Sequence, residues 1–130
     1  MNRILTYSYP DAYREIEFAI PLDEAKKVFR EVRERLKKHH PSYAHPVDVR
    51  FVAQDDALLS WCHDGPKAIF SVPDSLDCSY DDVLADLEEL FYQHGGLPHW
   101  GKEYRLTADR LLQLQPGFKL FREIRRELDP

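Results

Sequence analysis

The sequence is poor in the features that mark secreted, membrane-spanning and nucleic-acid-binding proteins. Its two cysteines, Cys62 and Cys78, are far apart and form no CxxC pair, which predicts two free thiols in a reducing, intracellular setting. No apolar run approaches the roughly 20 residues that cross a bilayer, and the apolar part of the N-terminus is too short for a signal peptide. The net charge of −5 argues against a nucleic-acid partner, because nucleic-acid-binding surfaces are basic.

Signature motifs of several enzyme classes are also missing. The sequence contains no GxSxG elbow, no GxGxxG loop and no P-loop, so neither an α/β-hydrolase nor a nucleotide cradle within this chain is supported. Six histidines are present, but none stands at HExxH spacing, and a metal site is therefore not expected. A length of 130 residues predicts one domain, residues 1–130, that is large enough for its own hydrophobic core.

The clearest strand signal lies in residues 13–20, where apolar and polar side chains alternate. Ile16, Phe18 and Ile20 share one face of the predicted strand. Glu15 and Glu17 lie on the other face. The pattern predicts a strand with one buried face, and it assigns the two glutamates to solvent.

Two further strands and four helices complete the predicted fold. Strands over residues 47–53 and 67–72 are rich in β-branched residues and are joined by a loop, which predicts an antiparallel pair. Apolar residues recur at helical spacing in residues 25–38 and 80–94. The apolar positions that define these two helices are Ala25, Val28, Phe29, Val32 and Leu36 in the first, and Val83, Leu84, Leu87, Leu90 and Phe91 in the second. With two shorter helices near the C-terminus, this order predicts an α+β fold, an antiparallel sheet with helices packed on one side.

Residues 95–102 read GGLPHWGK, and their three glycines and one proline impose a tightly turned path. The stretch carries an imidazole, an indole and a primary amine, at His99, Trp100 and Lys102. Glycines beside such groups are typical of a backbone that approaches a ligand or aims a side chain. The alternative is a helix C-cap at Gly95 followed by a connector with a core tryptophan. The sequence supports the two interpretations equally.

Asp48 and Arg50 project side by side, because residues two apart on a strand share a face. They can form a surface ion pair, which is the interpretation that the sequence favours. They can also offer an acceptor and a planar five-donor fork to a polyhydroxylated ligand. Together with Ser71 on the neighbouring strand and Lys102 after the glycine-rich turn, they are predicted to converge at one end of the sheet. Such a set recognises hydroxyls and carbonyls, but it lacks an electron carrier and cannot perform redox chemistry alone.

Several stretches of the chain resemble the sugar-1,4-lactone oxidases, which include arabinono-, gulono- and galactonolactone oxidases and are related to the alditol oxidases. Residues 46–51 (PVDVRF) and 55–60 (DDALLS) resemble the PVEVRF…DD…LS segment of that family. Residues 96–102 (GLPHWGK) resemble its G-x-PHWGK motif. Residues 14–21 (REIEFAIP) and 121–130 resemble its opening strand and its F…R..LDP close. The match covers nearly the whole chain in the right order.

This resemblance implies the cap domain of a vanillyl-alcohol-oxidase-type flavoenzyme. In that family an N-terminal domain binds FAD, and a C-terminal domain covers the flavin and shapes the substrate pocket. The chain corresponds to the C-terminal domain alone, without the FAD-binding domain, and is expected to be inactive by itself. The implied cofactor is FAD, held mainly by the other domain in cis or in trans. The implied partners are that domain and a sugar lactone or an alditol.

The resemblance also assigns roles to individual residues. Lys102 and Arg50 are the implied catalytic residues: Lys102 polarises or deprotonates the reacting hydroxyl, and Arg50 holds substrate hydroxyls together with Asp48. Ser71 stands where alditol oxidases place a pocket threonine. The resemblance also counts His99 among the substrate-binding residues, where it fixes the loop rather than reacts.

The sequence departs from the family pattern at Asp48, where the family has a glutamate, which is one methylene longer. It also ends at Pro130 without the family's Gly-Phe-Asn tail. Two rival interpretations remain open: a stand-alone α+β binding or interaction module without catalytic activity, and a metal-binding regulator that uses the histidines. A cytoplasmic location is expected. Peripheral membrane association, known for some family members, has no visible anchor in the sequence.

Overall fold

The strands form one antiparallel sheet of four members. The computed structural model describes residues 12–129. Within them the strands are β1 (Tyr13–Pro21), β2 (Asp48–Val52), β3 (Lys67–Ser75) and β4 (Leu97–Pro98). Their order across the sheet is β2-β3-β1-β4, and each neighbouring pair is antiparallel. The predicted antiparallel pairing of the second and third strands is confirmed.

The helices are α1 (Ala25–His39), α2 (Val83–Gln93), α3 (Ala108–Leu114) and α4 (Gly117–Leu128). The α+β class with helices on one side of an antiparallel sheet is confirmed. Helix α3 begins where the sequence predicts it, because the Thr107 side chain accepts a hydrogen bond of 3.3 Å from the backbone N–H of Arg110. None of the helices in residues 12–129 is long and apolar enough to span a bilayer.

The hydrophobic core lies between one face of the sheet and helices α1 and α2. Ile16, Phe18 and Ile20 of β1 are fully buried, as their alternation predicts. The Phe91 ring of α2 packs on Phe18 and Phe70, with centroid separations of 5.2 Å and 5.6 Å. Aromatic rings at these separations contribute beyond their buried area, so this cluster fixes α2 against the two central strands.

The structure corrects two expectations about burial. Phe29 was expected on the buried face of the first helix, but it is 51% exposed. Only a narrow stripe of α1, formed by Ala25, Val28 and Val32, is buried, and position 29 lies beyond its edge. Glu17 was expected in solvent, but it is 3% exposed, and its carboxylate contacts the side chains of Ser71 and Arg50 from the neighbouring strands.

Candidate functional site

The second face of the sheet carries a row of polar side chains across three strands. On β3, Ser71 stands opposite Glu17 of β1 and opposite Asp48 of β2. Arg50 follows two residues after Asp48 and therefore shares this face. We call this surface, formed by Glu15, Glu17, Asp48, Arg50 and Ser71, the polar face. It joins three of the residues that the sequence predicts for the site.

Glu17 is the centre of the polar face. Its carboxylate accepts a hydrogen bond of 3.0 Å from the Ser71 hydroxyl and forms an ion pair with the guanidinium of Arg50. The guanidinium reaches it across β3, because that strand lies between β2 and β1. A buried carboxylate is costly unless it is paired, and these two donors supply the pairing.

The favoured Asp48–Arg50 surface pair is therefore not the pair that forms. Arg50 makes its ion pair with Glu17, which sequence alternation had assigned to solvent. Asp48 is exposed, and within residues 12–129 its carboxylate has no hydrogen bond or ion pair. Its oxygens are thus open to a ligand that donates hydrogen bonds.

Lys102 contacts β1, the strand that carries Glu17, from the side opposite to β3. Its ammonium forms an ion pair with Glu15, the next residue of β1 on the polar face. The hydrogen bond to Glu15 raises the pKa of Lys102 above its ordinary value, so the amine remains a cation at neutral pH. Cα atoms two apart on a strand are separated by about 7 Å, so Glu15 and Glu17 anchor Lys102 and Arg50 at neighbouring positions of β1.

The glycine-rich motif is held along β1 by backbone hydrogen bonds. The N–H of His99 donates to the Glu17 carbonyl at 2.8 Å, and the N–H of Glu103 donates to the Glu15 carbonyl at 3.1 Å. Gly95 has a φ of +70° directly after α2, a conformation that glycine adopts without strain. The C-cap at Gly95 is confirmed, but Trp100 is 42% exposed and is not a core tryptophan. The motif also carries Lys102 to the polar face, and its approach to a ligand stays a prediction.

His99 and Trp100 hold other loops against the motif. The Nδ1 atom of His99 accepts a hydrogen bond of 3.0 Å from the Gly101 N–H, and the ring packs edge-on against Trp61 at 4.9 Å. The indole N–H of Trp100 donates to the Leu59 carbonyl at 3.2 Å. These contacts give both side chains a part in fixing the loop, and a substrate contact of His99 stays a prediction.

Lys102 also borders an open cleft of about 350 Å³. The residues that line it are Tyr80, Trp100, Lys102, Glu103, Tyr104 and Arg105. Asp48, Arg50 and Ser71 are not among them, so the predicted residues form two adjoining groups rather than the lining of one pocket.

In residues 12–129 no cluster of three or more histidine, cysteine or acidic side chains is arranged to hold a metal ion. Cys62 and Cys78 are free thiols.

Sequence reasoning missed Glu15 and Glu17 as partners of the two cations. A hint was present in the sequence: both glutamates lie on the polar side of one predicted strand, and the other predicted strands also carry polar residues on one side, so these polar sides could meet. Strand alternation assigns residues to faces, but it does not show which strand lies between two others or what covers the second face.

The chain is similar to proteins that are named as lactone oxidases and dehydrogenases. The sequence pattern of a family described as D-arabinono-1,4-lactone oxidase matches residues 3–130. L-gulonolactone oxidase of Mus musculus is 31% identical over 99% of this chain and 30% of its own length. L-gulono-1,4-lactone dehydrogenase of Mycobacterium tuberculosis (strain ATCC 25618 / H37Rv) is 28% identical over 91% of this chain and 28% of its own length. The chain thus spans less than a third of the length of these relatives.

Proposed function

The chain belongs to the D-arabinono-1,4-lactone oxidase family, and on this premise we propose that it is the substrate-binding cap domain of an FAD-dependent sugar-1,4-lactone oxidase. The complete enzyme would oxidise the C2 hydroxyl of an aldono-1,4-lactone, with an alditol as the alternative substrate. The observation that carries the proposal is the polar face, where a lysine and an arginine are each anchored on a carboxylate of β1. Fixed donors of this kind suit a substrate that is covered with hydroxyls.

The donor set on the polar face fits the substrate side of a flavin site. Residues 12–129 have no glycine-rich cradle of backbone N–H groups for a pyrophosphate, so we assign none of them to the nucleotide part of FAD. The cofactor would be held mainly by an FAD-binding domain in cis or in trans. When bound there, FAD supplies the acceptor for a hydride, and the hydroxyl proton passes to water.

Lys102 has the charge that the oxidation of an alcohol requires. The bond to Glu15 keeps its amine protonated, so we propose that it donates a hydrogen bond to the reacting oxygen rather than acting as a base. A fixed cation at that oxygen stabilises the negative charge that the oxygen gains as its proton leaves, which favours departure of the hydride from carbon. Glu15 limits the rotamers of the flexible lysine, which favours one orientation of the ammonium.

Arg50, Asp48 and Ser71 would bind the other hydroxyls of the sugar. The guanidinium has five N–H groups, and those not used by Glu17 can donate to substrate oxygens. The carboxylate of Asp48 can accept from a hydroxyl. Because the Ser71 hydroxyl donates to Glu17, its oxygen retains lone pairs with which it can accept. These residues would position the lactone for the reaction at Lys102.

The experiment that tests the proposal is flavin reduction by D-arabinono-1,4-lactone under anaerobic conditions. Flavin absorbance is followed with the chain alone, with a candidate FAD-binding domain alone, and with both together. We expect lactone-dependent reduction in the mixture only, because hydride transfer needs both the flavin and the substrate-binding face. If the two domains associate but neither lactones nor alditols reduce the flavin, the alternative is favoured: the chain is a binding module without catalytic activity.

A further inference from the structure

Resting on the proposed function for the identity of the site, we propose that Glu17 is a positioning residue that makes the polar face select neutral sugar lactones over anionic aldonates. An aldonate is the open-chain acid that forms when the lactone ring is hydrolysed. It carries the hydroxyls of the lactone and the one released from the ring, and it has a carboxylate in place of the cyclic ester. An enzyme with an arginine in its substrate site therefore has to distinguish a neutral molecule from a closely similar anion.

Glu17 is held more firmly than Arg50, the arginine that it contacts. Glu17 belongs to the central strand β1, its side chain is 4% exposed, and its backbone carbonyl accepts the N–H of His99 at 2.8 Å. Arg50 extends from β2, at the edge of the sheet, and its side chain is 60% exposed. The ordered group therefore orients the mobile one, because an exposed arginine otherwise samples many rotamers.

The charge of Glu17 also weakens the binding of anions by Arg50. A free guanidinium binds carboxylates through two parallel N–H···O bonds and is a strong anion receptor. In this structure Nη2 of Arg50 is already paired with Oε1 of Glu17, whose other carboxylate oxygen accepts from Ser71, and the Lys102 ammonium is already paired with Glu15. The remaining N–H groups can still donate to neutral hydroxyls.

Asp48 adds a further negative charge to the same surface. The polar face and Lys102 together contain two cations, Arg50 and Lys102, and three carboxylates, Glu15, Glu17 and Asp48. The cluster thus has one net negative charge, and it repels the carboxylate of an aldonate while leaving a lactone unaffected. Removing the charge of Glu17 would free Arg50 to bind that carboxylate.

The test compares the binding of two matched probes to the full 130-residue chain. The probes are D-arabinono-1,4-lactone and the aldonate obtained by its hydrolysis, and dissociation constants are measured by NMR titration. In Glu17→Gln, which keeps the shape of the side chain, we expect aldonate affinity to rise by about three- to tenfold relative to lactone affinity. Glu17→Asp keeps the charge and is expected to retain the wild-type preference. Glu34→Gln, an exposed change on α1, serves as the control.

Aldonate affinity can be measured whether or not the complete enzyme oxidises lactones. If the wild-type chain binds no lactone and its mixture with the FAD-binding domain is not reduced by lactones or alditols, the proposed function fails, but a gain of aldonate binding in Glu17→Gln alone still supports charge compensation. A Glu17→Gln variant that folds like the wild type without gaining aldonate binding would overturn the inference. If Glu17→Gln does not fold, the wild type decides: preference for the lactone supports the inference, and aldonate binding as tight as lactone binding contradicts it.

Discussion

Lys102 and Glu15 together determine the protonation state of the proposed catalytic group. The ammonium lies within hydrogen-bonding reach of the carboxylate, and its side chain is 32% exposed whereas that of Glu15 is 14% exposed. The cation is thus partly shielded, so its interaction with a substrate oxygen is stronger than it would be in bulk water. The role proposed for Lys102 depends on this pairing.

Replacing Lys102 by methionine should reduce kcat of the reconstituted enzyme by about 10²- to 10³-fold, as for the loss of one oxyanion donor. The substitution keeps the length of the side chain and removes its charge. Lys38→Met, on an exposed position of α1, is the matched control and should leave kcat unchanged. Kinetics and circular dichroism are measured on the same samples. Wild-type turnover in a folded Lys102→Met enzyme would remove Lys102 from the mechanism.

The Lys102–Glu15 pair should also give a characteristic dependence of stability on pH. Because the folded-state pKa of Lys102 is raised, its contribution is fully present below the unfolded pKa of about 10.4. The contribution is lost as the pH rises through the folded value. The difference in unfolding free energy between wild type and Glu15→Gln should therefore be constant from pH 7 to about pH 10 and shrink above it. Urea denaturation from pH 7 to pH 11.5 measures this difference, and a difference that shrinks between pH 7 and pH 9 would contradict the assignment.

At the scale of the elements, a histidine joins α1 and α2 at each end of the helix pair. His94 follows α2, and its ring nitrogens lie 2.9 Å from Glu24 and 3.1 Å from Glu31 of the α1 region. His40 follows α1, and its ring nitrogens both lie 3.0 Å from carboxylates, those of Asp82 and Asp86 in the α2 region. Both ring nitrogens of each histidine thus lie within hydrogen-bond distance of carboxylates on the other helix region, so each ring links the two helices.

Replacing His94 by alanine should lower the unfolding free energy by about 1–3 kcal/mol, because the change leaves carboxylates without their donor. His39→Ala is the matched control, since His39 is an exposed neighbour at the end of α1 and should change stability by less than about 0.5 kcal/mol. Chemical denaturation of the two variants makes the comparison. Equal losses in the two would show that the His94 contacts do not stabilise the helix pair.

Gly96 permits the close contact between the motif and α2. A Cβ at this position would lie 2.6 Å from the Phe91 carbonyl oxygen and 2.8 Å from the Ile20 side chain. Gly96→Ala should therefore destabilise the fold by about 1–3 kcal/mol through overpacking. At Gly65, where a Cβ meets no atom within 4 Å, alanine adds only backbone strain. Thermal denaturation should give a larger loss for Gly96→Ala, and the opposite order would show that the contact relaxes.

At the scale of the whole molecule, helix α4 presents an apolar surface that the rest of the described chain does not cover. Leu120, Phe121 and Ile124 are 38–48% exposed. This surface continues from the motif, because Trp100 stacks on Phe118 and Phe118 stacks on Phe121, at 6.4 Å and 6.3 Å. The matched relatives are more than three times as long as the chain, and under the proposed function an FAD-binding domain would cover this surface.

The double variant Leu120→Asp/Ile124→Asp should weaken association with the FAD-binding domain by at least about tenfold, because apolar anchors carry much of an interface's affinity. Neither residue is buried within the chain, so folding should be preserved. Phe29→Asp, an exposed apolar position on α1, is the matched control. Calorimetric titration measures the affinity, and light scattering shows whether the surface instead joins two copies of this chain. Unchanged affinity would exclude α4 from the interface.

Much of the fold was predictable, because it follows from short-range periodicity. Alternation in residues 13–20 placed Ile16, Phe18 and Ile20 in the core, and helical spacing identified the buried stripe of α2. The exposure of Phe29 was not predictable, since spacing does not give the width of the covered stripe. Strand β3 runs to Ser75 rather than to residue 72, because its last residues pair with the start of β1.

The sequence by itself determined the four helices, three of the four strands, most of the core and the family, because periodicity and motifs such as PVDVRF and PHWGK are local properties of the chain. The short strand β4 within the motif was not predicted. The tertiary structure alone decided which carboxylate meets which cation. Arg50 and Glu17 are 33 residues apart, and Lys102 and Glu15 are 87 residues apart. Their contacts depend on the strand order β2-β3-β1-β4 and on the path of the motif beside β1. Local pattern does not encode that order, since a strand with one buried face can pair with several neighbours.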